Sequence, residues 1–282
     1  MEWSERDEQV MEEIRQWQDS LYDYEANDLE NTYVKWLDSA FSTLPVELQE
    51  QFFQRLDGWL FHLHSLLQGS QLQNDARERI VKTARAFNQE INTIQDLHLL
   101  TVDQLHYIAM QHTGRHQLYS FIQGGMTGTG GAAVLGTDMP AMAVINLRSV
   151  QLVAISYGFD VQTPFEMMTS LKVFHAATLP ARLRAEAWEE LMEDLERKEN
   201  DYFYDGTEKL TDYTWLEGPI KHLLKGIVIT TFRKKRMSGI PLISMAVGAG
   251  FNYQYTRKIN DFAEKYYQYR YLSRKRMNYS DY

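Results

Sequence analysis

The sequence predicts a nearly all-α protein, a multi-helix bundle with two Gly/Ala-rich apolar helical segments packed at its centre. Three observations lead there. Between residues 46 and 67, Leu48, Phe52, Phe53, Leu56, Leu60, Leu63 and Leu67 recur at three- and four-residue steps, which puts one apolar stripe on a helix. Thr101 with Gln104, and Thr163-Pro-Phe-Glu166, have the spacing of helix N-terminal caps, while Gly158 directly after an apolar run suits a C-terminal stop. No segment sustains the apolar–polar alternation of half-buried strands, and GIVITTF at 226–232 is the one β-branched cluster.

The composition fits a packed protein: 282 residues, 44% hydrophobic and 13% aromatic. No cysteine is present, so disulfides, thiolate catalysis and cysteine-ligated zinc are excluded. The acidic opening MEWSERDEQ lacks the character of a signal peptide, and the expected location is the cytoplasmic side.

Charge is unevenly placed along the chain. Residues 1–70 hold 4 Lys+Arg against 15 Asp+Glu, residues 71–220 hold 12 against 20, and residues 221–282 hold 13 against 3. We therefore expect an acidic N-terminal helical region over 1–70 that packs on a larger helical domain over 71–282, the two forming one unit. The basic tail either lies against the acidic end or meets an anionic partner.

Two runs carry no charge for about the length of a bilayer span, roughly 20 residues: His116 to Thr137 and Met237 to Thr256. Both are rich in Gly, Ser, Thr and Gln, and Arg148 interrupts the more apolar helix expected between them, so ordinary spanning helices are not expected. The first run holds QGGMTGTGGAAVLGTDMPAM, with six of the chain's sixteen glycines in twenty positions. GTGGAA formally matches a dinucleotide fingerprint, but no strand leads in and no βαβ alternation follows; a Walker loop would need a Lys that is missing. Helix contact explains the glycines better. Gly128, Ala132 and Gly136 recur every four residues, as do Ser244 and Gly248 in the second run, offering stripes without bulk where backbones approach closely. Asp138, followed by Met139 and Pro140, reads as the N-cap of the next helix, or else as a ligand for a headgroup or ion.

The segment GGMTGTGGAAVLGTDMPAMAVINLRSVQLVAISYGFD (124–160), followed by TPFE and LKVFHAA, resembles the signature of the EcsC family, bacterial proteins whose founding member is encoded beside ABC-transporter subunits. IPLISMAVGAGFNYQYTRKINDFAEKYYQYRYL (240–272) resembles that family's C-terminal block. The likeness is strong over about 95–180 and 236–276 and looser from about residue 10. Its landmarks here are Gly124, Thr127, Gly128, Gly130, Gly131, Asp138, Pro140, Arg148, Tyr157, Gly158, Asp160, Asn252 and Tyr255. The resemblance implies a cytoplasmic helical protein working near a transporter or membrane, and it brings no reaction or catalytic residue with it.

Arg148 is the one charge between Met139 and Phe159, and Asp138 and Asp160 lie ten and twelve residues away, too far along a helix to neutralise it. It needs a partner from elsewhere, either a structural one or an anion. The tail interleaves tyrosines with Arg233, Lys234, Lys235, Arg236, Arg257, Lys258, Arg270, Arg274, Lys275 and Arg276, which suits anionic headgroups at a membrane surface. Single-stranded nucleic acid would use the same interleaving, but the acidic remainder argues against it. His112 and His116 lie one turn apart without an accompanying Glu, His62 and His64 face apart, and DYFYDGTEKLTD (201–212) puts Phe203 and Lys209 where a calcium loop needs ligands. No metal or cofactor is expected.

The functional expectation is a non-catalytic accessory protein, peripheral to the cytoplasmic membrane face, binding anionic lipid and assisting an ABC transporter. The alternative is a lipid- or peptide-directed hydrolase with a polar pocket around Asp138, Arg148 and Asn252, joined by Thr127 and Thr129; no G-x-S-x-G elbow supports it.

Overall fold

The computed structural model describes residues 3–23, 71–127, 132–179, 181–198 and 241–280. Among these residues there are seven α-helices, one 3-10 helix and no strand, so the chain is all-α as expected. The helices are α1 (Glu5–Tyr22), α2 (Gln71–Ala84), α3 (Val102–Thr127), α4 (Ala132–Ser156), α5 (Pro164–Thr178), α6 (Ala181–Lys198) and α7 (Pro241–Ser280), with the 3-10 helix at Gln95–Leu99. The stripe at 46–67, the segments 201–212 and 226–232, and Arg233 to Arg236 lie outside the described residues, as do Gly128, Thr129, Gly130 and Gly131.

Helix ends follow local chemistry. The Thr101 amide donates to the Gln104 side chain at 2.9 Å, and the Gln104 amide to Thr101 Oγ1 at 3.3 Å, a reciprocal capping box that starts α3. Ser4 and Asp7 make the same exchange before α1, at 2.8 and 3.2 Å. Thr163 Oγ1 accepts from the Glu166 amide with Pro164 in the first turn of α5, but the Glu166 carboxylate does not complete a box, because it is committed elsewhere. At the end of α4, Gly158 adopts φ +83°, its amide donates to Ile155, and the Phe159 amide donates to Ala154. That is a Schellman stop, which satisfies two orphan carbonyls and turns the chain under the helix.

The reading of Asp138 as an N-cap is corrected: α4 begins at Ala132, so Asp138 and Pro140 lie inside the helix. Pro140 cannot donate to the carbonyl four residues before it, yet its φ fits a helix, and one lost backbone bond does not by itself end the rod. The first uncharged run is thus divided between the end of α3 and the start of α4. Ala132 and Gly136 fall early in α4 and Ser244 and Gly248 early in α7, two helices that pack on each other and on α3.

Helix α7 is the axis of the assembly. Its 40 residues span about 60 Å at 1.5 Å per residue. It packs most extensively on α3, then on α4, α5 and α1. Trp188 of α6 is wholly buried and is met edge-on by Trp17 of α1 at 5.0 Å and by Phe262 and Tyr266 of α7 at 5.7 and 6.1 Å. These edge-to-face contacts tie α1, α6 and α7 together, since the positive ring edge favours the negative face of its neighbour. The acidic α1 accordingly docks on α6 and α7.

Gly158→Ala puts a side chain into left-handed backbone, and its Cβ would meet the Ile94 carbonyl oxygen at 3.1 Å. We expect a loss of about 1–2 kcal/mol, read as a lower urea midpoint with an unchanged slope.

Candidate functional site

The chemistry of the described residues concentrates where the C-terminal half of α7 meets the α4–α5 connection. Arg270 is buried, and its two terminal nitrogens donate to the two carboxylate oxygens of Glu166 at 2.6 and 2.8 Å. Glu166 sits in the first turn of α5, where the helix dipole favours a negative charge. The guanidinium also lies 4.0 Å from the ring centroid of Phe159, delivered there by the Gly158 turn. Burial opposes the charge on Arg270, but the hydrogen bonds to Glu166 and the electrostatic influence of Tyr266, Glu166 and Tyr267 together outweigh it and hold its pKa above the ordinary arginine range. One turn on, Lys275 Nζ donates to Asp7 Oδ2 at 2.6 Å, with Asp7 buried at the start of α1. Burial acts to raise the Asp7 pKa, yet the bonds from Lys275 and Ser4 prevail and keep it below the usual carboxylate value.

These two pairs correct the expectation that Arg270 and Lys275 are surface cations. Both are held inside by carboxylates distant in sequence, since a buried charge must be neutralised. Arg257, Lys258, Arg274 and Arg276 are exposed. Arg257 lies 3.9 Å from Asp261, and Arg276 lies 5.8 Å from the ring centroid of Trp3. Arg274 rests 4.8 Å from the centroid of the same Phe159 ring and lines a pocket of about 70 Å³ with Lys275, His98, Gln95, Gly158 and Tyr271.

A third cluster joins three helical segments. His106 Nδ1 of α3 and Tyr157 Oη both bond Glu264 Oε1 of α7, the tyrosine donating at 3.1 Å. The bond to Glu264 raises the His106 pKa above its usual value, with burial opposing. Burial, and then the nearby Glu264 charge, pushes the wholly buried Tyr157 hydroxyl well above the tyrosine range. His106 and Glu264 are 158 residues apart, and no local pattern marks them; Tyr157 alone stands among the sequence landmarks.

Of the residues proposed for a polar pocket, Thr129 lies outside the described residues and the others fall on three helices. Thr127 closes α3 and Asn252 lies on α7. Asp138 and Arg148 share α4, ten residues and thus about 15 Å apart on one rod. Arg148 is half-buried, burial lowers its pKa, and it has no carboxylate within ion-pair distance among the described residues. His112 Nε2 lies 3.2 Å from Thr83 Oγ1. Among the described residues no group of three His, Asp or Glu side chains is arranged to hold a metal, and no helix is long and apolar enough to cross a membrane.

An all-α bundle strung on one long terminal helix, with its carboxylate pairs inside and part of its basic tail outside, defines the class of this molecule. The chain belongs to the EcsC protein family, whose sequence profile matches residues 8–272. It is similar to an uncharacterized protein, YdbA of Bacillus subtilis (strain 168), at 23% identity over 236 residues, covering 81% of this chain and 82% of that one. No solved structure matches it.

Arg270→Met leaves Glu166 buried and unpaired, and we expect a loss of about 3–5 kcal/mol in chemical denaturation, largely recovered by Arg270→Met with Glu166→Leu. For His106 the folded pKa lies above the unfolded value of about 6.5, so its contribution is full below that pH and fades as pH rises through the folded pKa. The stability gap between wild type and His106→Gln should therefore be larger at about pH 5.5 than at about pH 9; an equal gap at both would refute the ion pair with Glu264.

Proposed function

We propose that this protein is a non-catalytic accessory protein that attaches reversibly to the anionic cytoplasmic face of a membrane through α7. The observation that carries this reading is the exposed set Arg257, Lys258, Arg274 and Arg276, interleaved with the exposed Tyr253 and Met277. A tyrosine ring rests at headgroup depth while neighbouring cations meet phosphate. Each Lys or Arg near an anionic leaflet contributes about 1 kcal/mol, so four supply a binding that is appreciable and readily reversed. The chain's formal net charge of −9 does not prevent this, because at 0.1 M salt charges farther than about 10 Å from the surface are screened. Work beside an ABC transporter is what the resemblance of residues 124–160 and 240–272 to the EcsC family implies, and it is part of this proposal.

A second reading, a lipid- or peptide-directed hydrolase, draws on Arg148, a half-buried cation with no acidic partner among the described residues. It requires an anionic group to reach α4.

Flotation with vesicles of phosphatidylcholine containing about one-third phosphatidylserine tests the first reading. Wild type should float at 0.1 M salt and remain in the dense fraction at 1 M, where the screening length falls to about 3 Å. Replacing Arg257, Lys258, Arg274 and Arg276 together by Gln should weaken binding by at least about a hundredfold. Absence of flotation at low salt would sink the proposal.

A further inference from the structure

Among the described residues, the pocket between the 3-10 helix and the end of α7 carries one more cation than has a carboxylate within ion-pair distance. Glu166 balances Arg270 and Asp7 balances Lys275. Arg274 has no carboxylate within ion-pair distance among the described residues, yet it stands one turn beyond Arg270 with its guanidinium drawn over the same Phe159 ring. Burial, and then the like charge of Arg270, act against its protonated form, and the more weakly felt Glu166 carboxylate offsets them only in part. An anion in the pocket relieves that repulsion.

The walls supply directional donors. Arg274 presents a planar fork matched to two oxygens of one phosphate. Lys275 Nζ has three hydrogens, of which Asp7 takes one. His98 also lines the pocket, its Nδ1 donating to the Gln95 carbonyl at 2.7 Å, which fixes the ring as part of the wall. Tyr271 Oη is already donated to the Leu100 carbonyl at 2.6 Å, so it braces the wall. The volume of about 70 Å³ exceeds several times the roughly 10–15 Å³ that one water needs on this measure, enough for one tetrahedral anion.

We infer that this pocket binds the terminal phosphate of a phosphomonoester, gripped by Arg274 with Lys275 beside it. The inference deepens the membrane reading, on which it rests for one of its two sources: a lipid with a phosphomonoester headgroup, or a soluble phosphate ester. A dianionic terminal phosphate suits the excess charge and the fork better than a singly charged phosphodiester does.

Two measurements separate the possibilities. The first is calorimetric titration of the full chain with inorganic phosphate, with chloride at matched ionic strength as control. Wild type should bind phosphate saturably, Arg274→Gln should bind about tenfold more weakly or worse, and Arg274→Lys should fall between, because it keeps the charge but loses the fork. Unchanged circular-dichroism melts of both variants establish that they fold. Phosphate binding that is absent in wild type, or unaltered in Arg274→Gln, overturns the inference. The second is flotation with phosphatidic acid vesicles against phosphatidylglycerol vesicles of equal surface charge, using Arg274→Gln and Arg257→Gln/Lys258→Gln. A preference for phosphatidic acid that only Arg274→Gln removes identifies the lipid source. Phosphate titration with no flotation on either vesicle identifies the soluble source and rejects the membrane reading instead. Equal flotation on both vesicles, unaffected by Arg274→Gln, rejects the phosphatidic acid source while leaving membrane attachment standing.

Discussion

The two-pronged contact between Arg270 and Glu166 is the constraint around which the described structure is arranged. Removing two opposite charges from water costs several kcal/mol for each ion, and their attraction recovers this only when geometry and hydrogen bonding are good. Here both carboxylate oxygens are engaged, the carboxylate lies at a helix N-terminus, and an aromatic face covers the guanidinium. The pair therefore acts less as a source of stability than as a condition on register. A slide of α7 by one turn, about 5.4 Å, would strand both charges and also part Glu264 from His106 and Tyr157, and Tyr271 from Leu100.

That condition depends on short-range features legible in the sequence. Thr163 starts α5 and so aims Glu166; Gly158 stops α4 and so delivers Phe159. These signals act over three to five residues, where backbone sterics and capping bonds decide the outcome, and reading them requires no knowledge of the rest of the chain. The all-α class was legible for the same reason. The internal role of Arg270 and Lys275 was not, because a basic, tyrosine-rich segment looks alike whether its cations meet solvent or carboxylates 104 and 268 residues away. Asp138 misled for a subtler reason: Asp followed by Pro two residues later is a strong local start signal, and the helix nonetheless begins earlier, at Ala132. The His106–Glu264–Tyr157 cluster had no local signature at all, since its members meet only through the packing of α3, α4 and α7.

The division of labour along α7 follows from these contacts. At steps of three and four, Thr256, Asn260, Ala263, Tyr267 and Tyr271 keep one face inside, while Arg257, Lys258, Asp261 and Arg274 reach solvent. A stiff rod whose inner face is pinned at several points presents its outer cations in fixed relative positions. Such preorganisation lowers the ordering cost of meeting a charged surface, an advantage a disordered basic tail lacks. The EcsC family profile covers residues 8–272, which takes in most of α1 and of α7 and both Glu166 and Arg270, while Asp7, Arg274, Lys275 and Arg276 lie just outside it.

The bond between Lys275 and Asp7 spans 268 positions. During synthesis the amino-terminal helix, with Trp17, Val10 and Ile14 destined for the interior, must wait without its final neighbours until almost the whole polypeptide has emerged. Closure between such remote partners is slow compared with helix formation, and apolar faces left open in the interval invite association with other chains. A polypeptide ended a few dozen codons early would keep the seat of its first helix on α6 but would leave the buried Asp7 carboxylate without the Lys275 ammonium that neutralises it.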